Sequence, residues 1–384
     1  MIPTPRIGGP CRRFVLLLAV ALACAARPAS AQPDPGLTAR MIADLELREA
    51  PEPVRASPRW RVPPRVLVRN LTPELRAWLQ PVAAGVELVG ADSIGEAREL
   101  AATVDVALGF CEEPVLAAGP QIRWVQTYNA GVERCLAGNL IADRGILLTN
   151  MQRIAGPVMA EHVMALVLAH ARGLPAYYAA QRDGRWSRGE LSLSDGAHGA
   201  FALTGKTLLV VGFGGIGTEV ARRAHAFGMT VLAIRNSKAD PPPFVARMGL
   251  PGDLAAWVRE ADIVVDTLPL TPETRGMFDA KIFGAMKRTA FFVNVGRGGT
   301  VVTDDLLRAL QSRTIAGAGL DVVDPEPLPP GHALWGAPGL ILTPHVSADS
   351  DVDDDARWLL LRENLRRYVA GEPLLSVVDA RRGY

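Results

Sequence analysis

The sequence predicts a two-lobed α/β fold whose larger lobe is a doubly wound parallel sheet. Six short apolar runs support this prediction, because Val, Ile and Leu runs that alternate with helical stretches are typical of strands buried on both faces. The runs are 208–211, 230–234, 263–266, 290–293, 315–320 and 340–342. Glycines or polar residues follow each run. Ligands bind outside the carboxyl ends of such strands, so we expect a ligand site at this edge.

Length and composition limit the classes of protein that the chain can belong to. Its 384 residues suffice for two domains, and 49% hydrophobic with 21% charged residues is a globular composition. The formal net charge of +1 gives no electrostatic reason to expect nucleic acid or an anionic membrane as a partner. The four cysteines form no CxxC pair, so we expect neither a metal site nor a disulfide scaffold.

The first 31 residues have the pattern of a signal peptide. Arg12-Arg13 precede an apolar run over 14–26, and Ala29-Ser30-Ala31 is an A-x-A cleavage site. The run is too short to cross a bilayer, so we expect an exported, periplasmic protein with no membrane span after processing. Arg12-Arg13-Phe14 partly matches the twin-arginine pattern. If the leader is not used, the protein is cytoplasmic.

Cleavage at this site would leave two cysteines, Cys111 and Cys135. In an oxidising compartment they could form a disulfide. Two separate buried thiols are the alternative, because free cysteine behaves as a small apolar residue. The sequence leaves both open.

The next segments are an arm and a small first lobe. Residues 32–63 are rich in Pro, Ala and Arg, with one helical patch near 38–48, and we interpret them as an N-terminal arm or linker. A substrate domain begins at residue 64 and is completed by 348–384, whose helix over about 354–368 can return to it. Its predicted strands are 66–68, 86–88, 104–109 and 124–127, with a helix over 73–79.

A helix over 157–172 opens the dinucleotide-binding domain, 157–347. It has proline in its first turn. Apolar residues cover most of its circumference, which indicates burial. We expect it to sit between the lobes, with a cleft beside it.

The first strand of this domain runs into a dinucleotide-binding motif. Leu208–Val211 is followed by Gly212-x-Gly214-x-x-Gly217, then by a helix over 218–227 and the strand at 230. The motif predicts a Rossmann-type site, since its glycines allow a tight turn and close backbone approach to a pyrophosphate. The following helix offers free N–H groups to the phosphates.

The end of the second strand indicates which nicotinamide dinucleotide binds. An acid about 20 residues after the glycines would accept a ribose hydroxyl of NAD. Here the strand ends in Arg235, with Asn236 and Ser237 behind it. A guanidinium pairs with a 2′-phosphate, so we predict NADP, with NAD as the alternative. Arg235 could otherwise stack on the adenine and discriminate little.

Three side chains after the last strands have the chemistry of a hydride-transfer enzyme. Histidine is the side chain whose ordinary titration lies near neutrality, so His345 suits proton exchange with a carbonyl oxygen. Glu326 can fix which nitrogen of the imidazole carries the proton. Arg297 can bind a carboxylate with two parallel N–H donors. Together with the dinucleotide they predict reduction of a small 2-oxo acid. The other histidines are interpreted as structural.

These motifs resemble the D-isomer-specific 2-hydroxyacid dehydrogenase family from about residue 64 onward. The resemblance rests on the glycine motif, Leu268-Pro269-Leu270-Thr271-Pro272-Glu273-Thr274, Asn294–Gly299, Gly317–Val322 with Pro325–Leu328, and Thr343-Pro344-His345. It implies a flavodoxin-like first lobe and a homodimer. It also implies that Arg297, Glu326 and His345 are catalytic.

The resemblance implies further roles. Asp321 would hold the nicotinamide carboxamide, and the backbone of Asn129-Ala130-Gly131, with Arg297, would bind the substrate carboxylate. The Asn-Val-Gly-Arg-Gly form of 294–298 is most similar to the NADP-dependent glyoxylate and hydroxypyruvate reductases. The predicted cofactor-binding residues are Gly212, Gly214, Gly215, Ile216, Gly217, Arg235, Asn236, Ser237, Thr267, Leu268, Pro269, Val295 and Asp321.

Two alternatives remain. A formate-type dehydrogenase shares the fold but typically has Gln where Glu326 stands. A nucleotide-sensing binding protein, like the corepressors on this fold, is the other. The predicted leader and the low net charge argue against a nucleotide-sensing protein. A measurable reductase rate would distinguish an enzyme from such a binding protein.

Overall fold

The computed structural model describes residues 35–186, 200–351 and 353–384. The predicted signal peptide, 1–31, lies outside them. The strands are β1 Arg65–Arg69, β2 Glu87–Ala91, β3 Val106–Leu108, β4 Trp124–Gln126, β5 Leu147–Thr149, β6 Thr207–Val211, β7 Thr230–Ile234, β8 Arg247–Gly249, β9 Ile263–Asp266, β10 Phe291–Asn294, β11 Gly317–Leu320, β12 Leu340–Leu342 and β13 Val377–Val378. The helices are α1 Pro35–Asp44, α2 Pro73–Leu79, α3 Ile94–Ala101, α4 Glu113–Ala118, α5 Glu133–Leu136, α6 Leu140–Arg144, α7 Gly156–Ala171, α8 Leu174–Arg182, α9 Gly215–Ala226, α10 Leu254–Trp257, α11 Ala280–Ala285, α12 Thr303–Gln311 and α13 Asp353–Ala370.

The second lobe is built on a seven-stranded sheet in the order β12-β11-β10-β9-β6-β7-β8. Every pair in it is parallel. The chain adds β7 and β8 on one side of β6 and then β9 to β12 on the other side, so the strand order reverses between β6 and β9. Ligands bind at this point in doubly wound sheets. All six predicted runs form strands here, and β8 is a seventh that the sequence pattern did not indicate. The predicted α/β Rossmann-type fold is confirmed.

The first lobe has a six-stranded sheet in the order β13-β5-β4-β3-β1-β2. The order β2-β1-β3-β4-β5 is that of a flavodoxin-like sheet, and β13 adds an antiparallel edge strand. The C-terminal helix α13 returns to this lobe, where Leu360 and Leu365 are fully buried in its core. Asn364 of α13 donates a hydrogen bond from Nδ2 to Oε1 of Gln126, at 2.9 Å, which fixes the helix to β4.

Helix α7 packs inside the second lobe, not between the lobes as we expected. Val163 and Val167 are fully buried in one cluster with Leu208, Ile263 and Phe291 of the sheet. The apolar circumference correctly predicted burial. It could not predict the partner, because an apolar circumference does not specify which surface the helix packs against. Here the partners are α9 and the sheet.

The segment predicted as an arm or linker is packed on the first lobe from α1 onward. Met41 and Leu47 are buried in the core of that lobe. Glu49 forms an antiparallel bridge with Leu375, and the Trp60 indole N–H donates to the carbonyl oxygen of Tyr368 at 3.0 Å. The arm therefore runs along the C-terminal segment and reaches the cleft between the lobes.

The structure selects the disulfide among the two states that the sequence left open for the cysteines. Cys111, just after β3, is bonded to Cys135 in α5, with their Cα atoms 4.9 Å apart. Both are buried. The bond fixes the short helix that follows the predicted substrate loop, 129–131, to the end of β3.

Candidate active site

The glycine motif forms the turn between β6 and α9 as predicted. Gly212 has φ +104°, and a Cβ there would lie 3.0 Å from the backbone of Thr267. A Cβ on Gly217 would lie 2.4 Å from the carbonyl oxygen of Gly212. Both positions therefore require glycine, and the N-terminus of α9 opens onto the space above the turn.

A cavity of about 530 Å³ lies above this turn. Eight of the predicted cofactor residues line it: Gly212, Gly214, Gly215, Arg235, Asn236, Thr267, Leu268 and Pro269. The other predicted ones, Ile216, Gly217, Ser237, Val295 and Asp321, do not. Ile216 packs against the core of the lobe, and Gly217 and Val295 are buried.

Arg235 enters this cavity at the end of β7. Its backbone N–H donates to the carbonyl oxygen of Gly249 at 3.1 Å. Its Nε is buried and has no hydrogen-bond partner among the described residues. A buried donor without a partner is costly unless a ligand satisfies it. Together with the glycine cradle, this donor fits an anionic nucleotide. Next to it, Asn236 hydrogen-bonds the Tyr384 hydroxyl.

His345 and Glu326 are within hydrogen-bond distance, with 2.6 Å between the imidazole Nδ1 and the carboxylate Oε1. The carboxylate fixes the proton on Nδ1, so Nε2 is the nitrogen that can exchange a proton with another molecule. His345 adopts φ +58°, a left-handed conformation that costs free energy in a residue with a Cβ. Such strain is found where a functional side chain has to be aimed.

Asp321 holds the loop that carries His345. Its Oδ1 accepts hydrogen bonds from the Thr343 hydroxyl at 2.7 Å and the Val346 N–H at 3.0 Å, and its Oδ2 accepts one from the Ser347 N–H at 3.0 Å. Burial raises the pKa of this carboxyl, but the donors of Ser347, Thr343 and Val346 outweigh burial and leave the pKa below its ordinary value. The carboxylate is thus engaged in shaping this loop. Its predicted contact with the nicotinamide stays a prediction.

Thr343 also brings His162 to this place. The His162 Nε2 lies 3.0 Å from the Thr343 hydroxyl and 3.8 Å from Asp321 Oδ1. On sequence grounds, His162 is one of the histidines that we interpret as structural. Its contact with the same hydroxyl that Asp321 binds makes it part of the support for the His345 loop.

Arg297, beyond β10, reaches across to the first lobe. A Cβ on Gly131 would lie 1.9 Å from Arg297 Nη2, so the guanidinium rests on the predicted substrate loop. Among the described residues, the backbone N–H groups of Ala130 and Gly131 donate no hydrogen bond. An anion beside them would therefore meet two backbone donors and a guanidinium, which suits a carboxylate.

Glu133 is a site residue that sequence reasoning missed. Its Oε1 accepts a hydrogen bond from Arg297 Nε at 2.9 Å, while Arg297 Nη1 donates to the Gly296 carbonyl oxygen at 2.8 Å. These two bonds fix the guanidinium and leave N–H groups on both terminal nitrogens for a ligand. The one sequence feature that could have indicated Glu133 is its position two residues after the predicted substrate loop, 129–131.

The loops of Arg297 and Glu326 touch each other. A Cβ on Gly298 would lie 2.0 Å from the carbonyl oxygen of Val323, which leaves room for glycine only. The Asp321 N–H donates to the Asn294 carbonyl oxygen at 3.0 Å. Parallel pairing of β10, β11 and β12 aligns their carboxyl ends, and so places Arg297, Glu326 and His345 on neighbouring loops.

Asp266, at the end of β9, supports the Arg297 loop from below. It is fully buried, and burial raises its pKa to about 7, although hydrogen bonds from the Thr300 hydroxyl and the Leu268 N–H oppose the rise. The Thr300 hydroxyl also lies 2.7 Å from the Arg297 carbonyl oxygen. A protonated Asp266 donates to Thr300, whose single hydroxyl hydrogen is then free for Arg297.

Two features are absent from residues 35–186, 200–351 and 353–384, which the structure describes. No helix there is long and apolar enough to cross a membrane. No cluster of three or more His, Cys, Asp or Glu side chains there could hold a metal ion.

The family follows from comparison with known proteins. The sequence profile of the D-isomer specific 2-hydroxyacid dehydrogenase NAD binding domain matches residues 164–347. A glyoxylate reductase/hydroxypyruvate reductase of Mus musculus is 33% identical over 260 residues, which are 68% of this chain and 78% of that protein. This chain belongs to the D-isomer-specific 2-hydroxyacid dehydrogenase family. A glycerate dehydrogenase of Methylorubrum extorquens is 36% identical over 62% of this chain and 73% of its own length.

Similar solved structures support the same family. A D-isomer specific 2-hydroxyacid dehydrogenase of Xanthobacter autotrophicus Py2, in complex with NADPH and MES, has 31% identity and a TM-score of 0.69, with 83% of this chain and 99% of that chain covered. An NADPH-dependent glyoxylate/hydroxypyruvate reductase of Sinorhizobium meliloti, in complex with NADP and sulfate, has 30% identity and a TM-score of 0.68, with 84% and 99% covered. The chain is accordingly an NAD(P)-dependent oxidoreductase of this family.

The raised pKa of Asp266 predicts a pH dependence of stability. Because its folded pKa of about 7 exceeds the ordinary value of 3.8, the native state binds the extra proton, and stability falls as pH rises through this window. Asp266→Asn mimics the protonated form and should remove this component. We expect the free energy of unfolding of the parent to fall between pH 5 and pH 8 by more than that of Asp266→Asn, measured by urea unfolding. Asp240→Asn, at an exposed site, is the control, and parallel pH profiles for parent and Asp266→Asn would contradict the prediction.

Proposed function

We propose that this protein reduces a small 2-oxo acid to the D-2-hydroxy acid, with NADPH as the hydride donor, in a reversible reaction. The observation that carries the proposal is the contact of 2.6 Å between His345 and Glu326, with the Glu326 loop touching the loop of Arg297. The balanced reaction consumes one 2-oxo acid, one NADPH and one proton. It yields one 2-hydroxy acid and one NADP⁺.

Each group of the chain has a chemical task in this reaction. Arg297 and the N–H groups of Ala130 and Gly131 bind the substrate carboxylate, and the guanidinium also polarises the adjacent carbonyl. The nicotinamide, when bound, supplies the hydride to the carbonyl carbon. His345 gives the proton on Nε2 to the oxygen that becomes the hydroxyl. Glu326 stabilises the imidazolium before that transfer and keeps the Nδ1 proton in place.

The proton transfer is tested with His345→Asn. Loss of a positioned acid should lower kcat by about 10²–10⁴-fold, while the Kd for NADPH from fluorescence titration stays within a few-fold of the parent. His225→Asn, at an exposed histidine of α9, is the matched control. If the parent binds NADPH but reduces no member of a panel of 2-oxo acids, the alternative of a nucleotide-sensing protein gains support. If His345→Asn turns over at the parental rate, the assignment of His345 is wrong.

The preference for NADP rests on Arg235. Its buried Nε has no hydrogen-bond partner in the part of the chain that the structure describes. The cavity-lining residues next to it, Ile234 and Asn236, carry no carboxylate. A 2′-phosphate would supply the missing acceptor and balance the charge. We therefore propose NADPH over NADH.

Arg235→Asp tests this preference, since it removes the phosphate partner and supplies an acceptor for a 2′-hydroxyl. A charge-assisted hydrogen bond contributes about 1.5–3 kcal/mol, and about 1.4 kcal/mol is tenfold. The ratio of kcat/KM for NADPH to that for NADH should therefore fall at least about tenfold, measured at constant salt. Arg259→Asp, an exposed charge reversal, should leave the ratio unchanged. If the parent prefers NADH, Arg235 only stacks on the adenine and does not select NADP.

We also propose export to the periplasm and a homodimer. The leader pattern at 1–31 supports export. So does the Cys111–Cys135 bond, because disulfides persist in oxidising compartments. The apolar side chains that α8 exposes, Leu174, Tyr177 and Tyr178, offer a surface for a second copy.

One preparation tests both proposals. Protein purified from the source cells should appear in the periplasmic fraction, start near residue 32 and resist alkylation of Cys111 and Cys135 until it is reduced. Its mass in sedimentation equilibrium should be twice that of the processed chain. Free thiols in a cytoplasmic fraction would exclude export, and a monomer mass would exclude the dimer.

A further inference from the structure

The wall of the dinucleotide cavity that the first lobe contributes is basic. Arg48 from the N-terminal arm and Arg153 from the segment after β5 line the cavity, in addition to Arg235. Glu273 is the one side-chain carboxylate among the lining residues. The cavity thus carries more positive than negative side-chain charge, and neither Arg48 nor Arg153 has a task in the reaction described above.

The backbone of Arg48 is held firmly in the cleft. Its carbonyl oxygen accepts a hydrogen bond from the Ser376 N–H at 3.0 Å, and the Ala50 N–H donates to the Leu374 carbonyl oxygen at 2.8 Å. Glu49, between them, forms an ion pair of 2.9 Å with Arg367. The Arg48 guanidinium itself has no ion-pair partner among the described residues. An arginine held in this way at a cavity wall is available to a ligand.

Arg153 lies directly over the start of α9. A Cβ on Gly215 would lie 2.7 Å from Arg153 Cγ and 3.0 Å from its Cα. The residue has φ +73°, which is unfavourable for a side chain that carries a Cβ. Glu46 accepts from its Nη1 at 3.3 Å, and the other terminal nitrogen faces no carboxylate within ion-pair distance among the described residues. The backbone and stem of Arg153 therefore lie against the start of α9, and its guanidinium adjoins Glu46 at the wall of the cavity.

The two guanidinium groups are close enough to affect each other. Burial lowers the pKa of Arg153 first, and the positive charge of Arg48 lowers it further. Two cations that face one cavity repel each other unless an anion lies between them. The pyrophosphate of a dinucleotide carries two negative charges and would lie at the N-terminus of α9.

We propose that Arg48 and Arg153 form an arginine pair that binds the pyrophosphate of the dinucleotide from the side of the cavity that the first lobe and its N-terminal arm provide. The N-terminal arm then completes the cofactor site, although it lies outside the region of family resemblance. This inference rests on the proposed use of a nicotinamide dinucleotide. It concerns the pyrophosphate, whereas Arg235 concerns the 2′-phosphate.

The test is Arg48→Gln, compared with Arg55→Gln, which removes the same charge from an exposed position of the arm outside the cavity. Fluorescence titration gives Kd values for NADPH and NADH, and competition gives that for 2′-AMP, which lacks the pyrophosphate. Arg48→Gln should raise the Kd of both dinucleotides by about tenfold, the effect of one lost charge-assisted bond. It should leave their ratio and the Kd of 2′-AMP unchanged. Arg55→Gln should bind all three ligands as the parent does.

Other outcomes overturn the inference. Parental dinucleotide affinities in Arg48→Gln would mean that Arg48 contacts no ligand. A loss confined to NADPH and 2′-AMP would place Arg48 at the 2′-phosphate. A parent that binds 2′-AMP but neither dinucleotide would remove the basis of the inference and of the proposed function together. Equal thermal midpoints of Arg48→Gln and Arg55→Gln exclude a folding defect as the cause of weaker binding.

Discussion

The hydrogen bonds of the Asp321 carboxylate are the interaction on which the candidate active site depends most. Asp321 ends β11, and its two oxygens bind the Thr343 hydroxyl and the N–H groups of Val346 and Ser347. These donors flank His345, so the carboxylate dictates the loop in which His345 takes its left-handed conformation. Without it, the buried Ser347 N–H would lose its acceptor at a cost of about 1–3 kcal/mol, and the partly buried donors of Thr343 and Val346 would lose theirs as well. His345 would then lose its fixed distance to Glu326.

A second buried carboxylate does the same for the opposite loop. Asp266 ends β9, two strands away, and reaches the Arg297 carbonyl oxygen through the Thr300 hydroxyl. One buried acid therefore supports the His345 loop, and another supports the Arg297 loop. Asp321 is stabilised as an anion by donors, and Asp266 is stabilised as the neutral acid by burial. The environment and not the residue type decides the charge of each.

The sequence predicted the elements whose signal is local. The Val-rich strands of the second lobe and the glycine turn follow from patterns within a few residues, and they were found at or within two residues of their observed bounds. The pairing of Arg297 with Glu133 could not be found in this way, since 164 positions separate them. The same holds for Arg48, because it faces the dinucleotide cavity only through the pairing of the arm with 374–376. Helix α7 illustrates the intermediate case, in which the apolar circumference of a helix predicts its burial but not the surface against which it packs.

Charge explains why residues 46–48 of the arm lie where the two lobes meet. Glu46 accepts hydrogen bonds from Arg153 of the first lobe and from Arg222 of α9 in the second lobe, both at 3.3 Å. One arm carboxylate therefore connects the two lobes, and Arg48, two residues later, adds a positive charge at the cavity. The exposed pairs alone contribute little, about 0–1 kcal/mol each. An anion held between Arg48, Arg153 and the start of α9 would contact the arm, the first lobe and the second lobe at once. Its binding energy would then favour the arrangement in which Arg297 rests on the substrate loop.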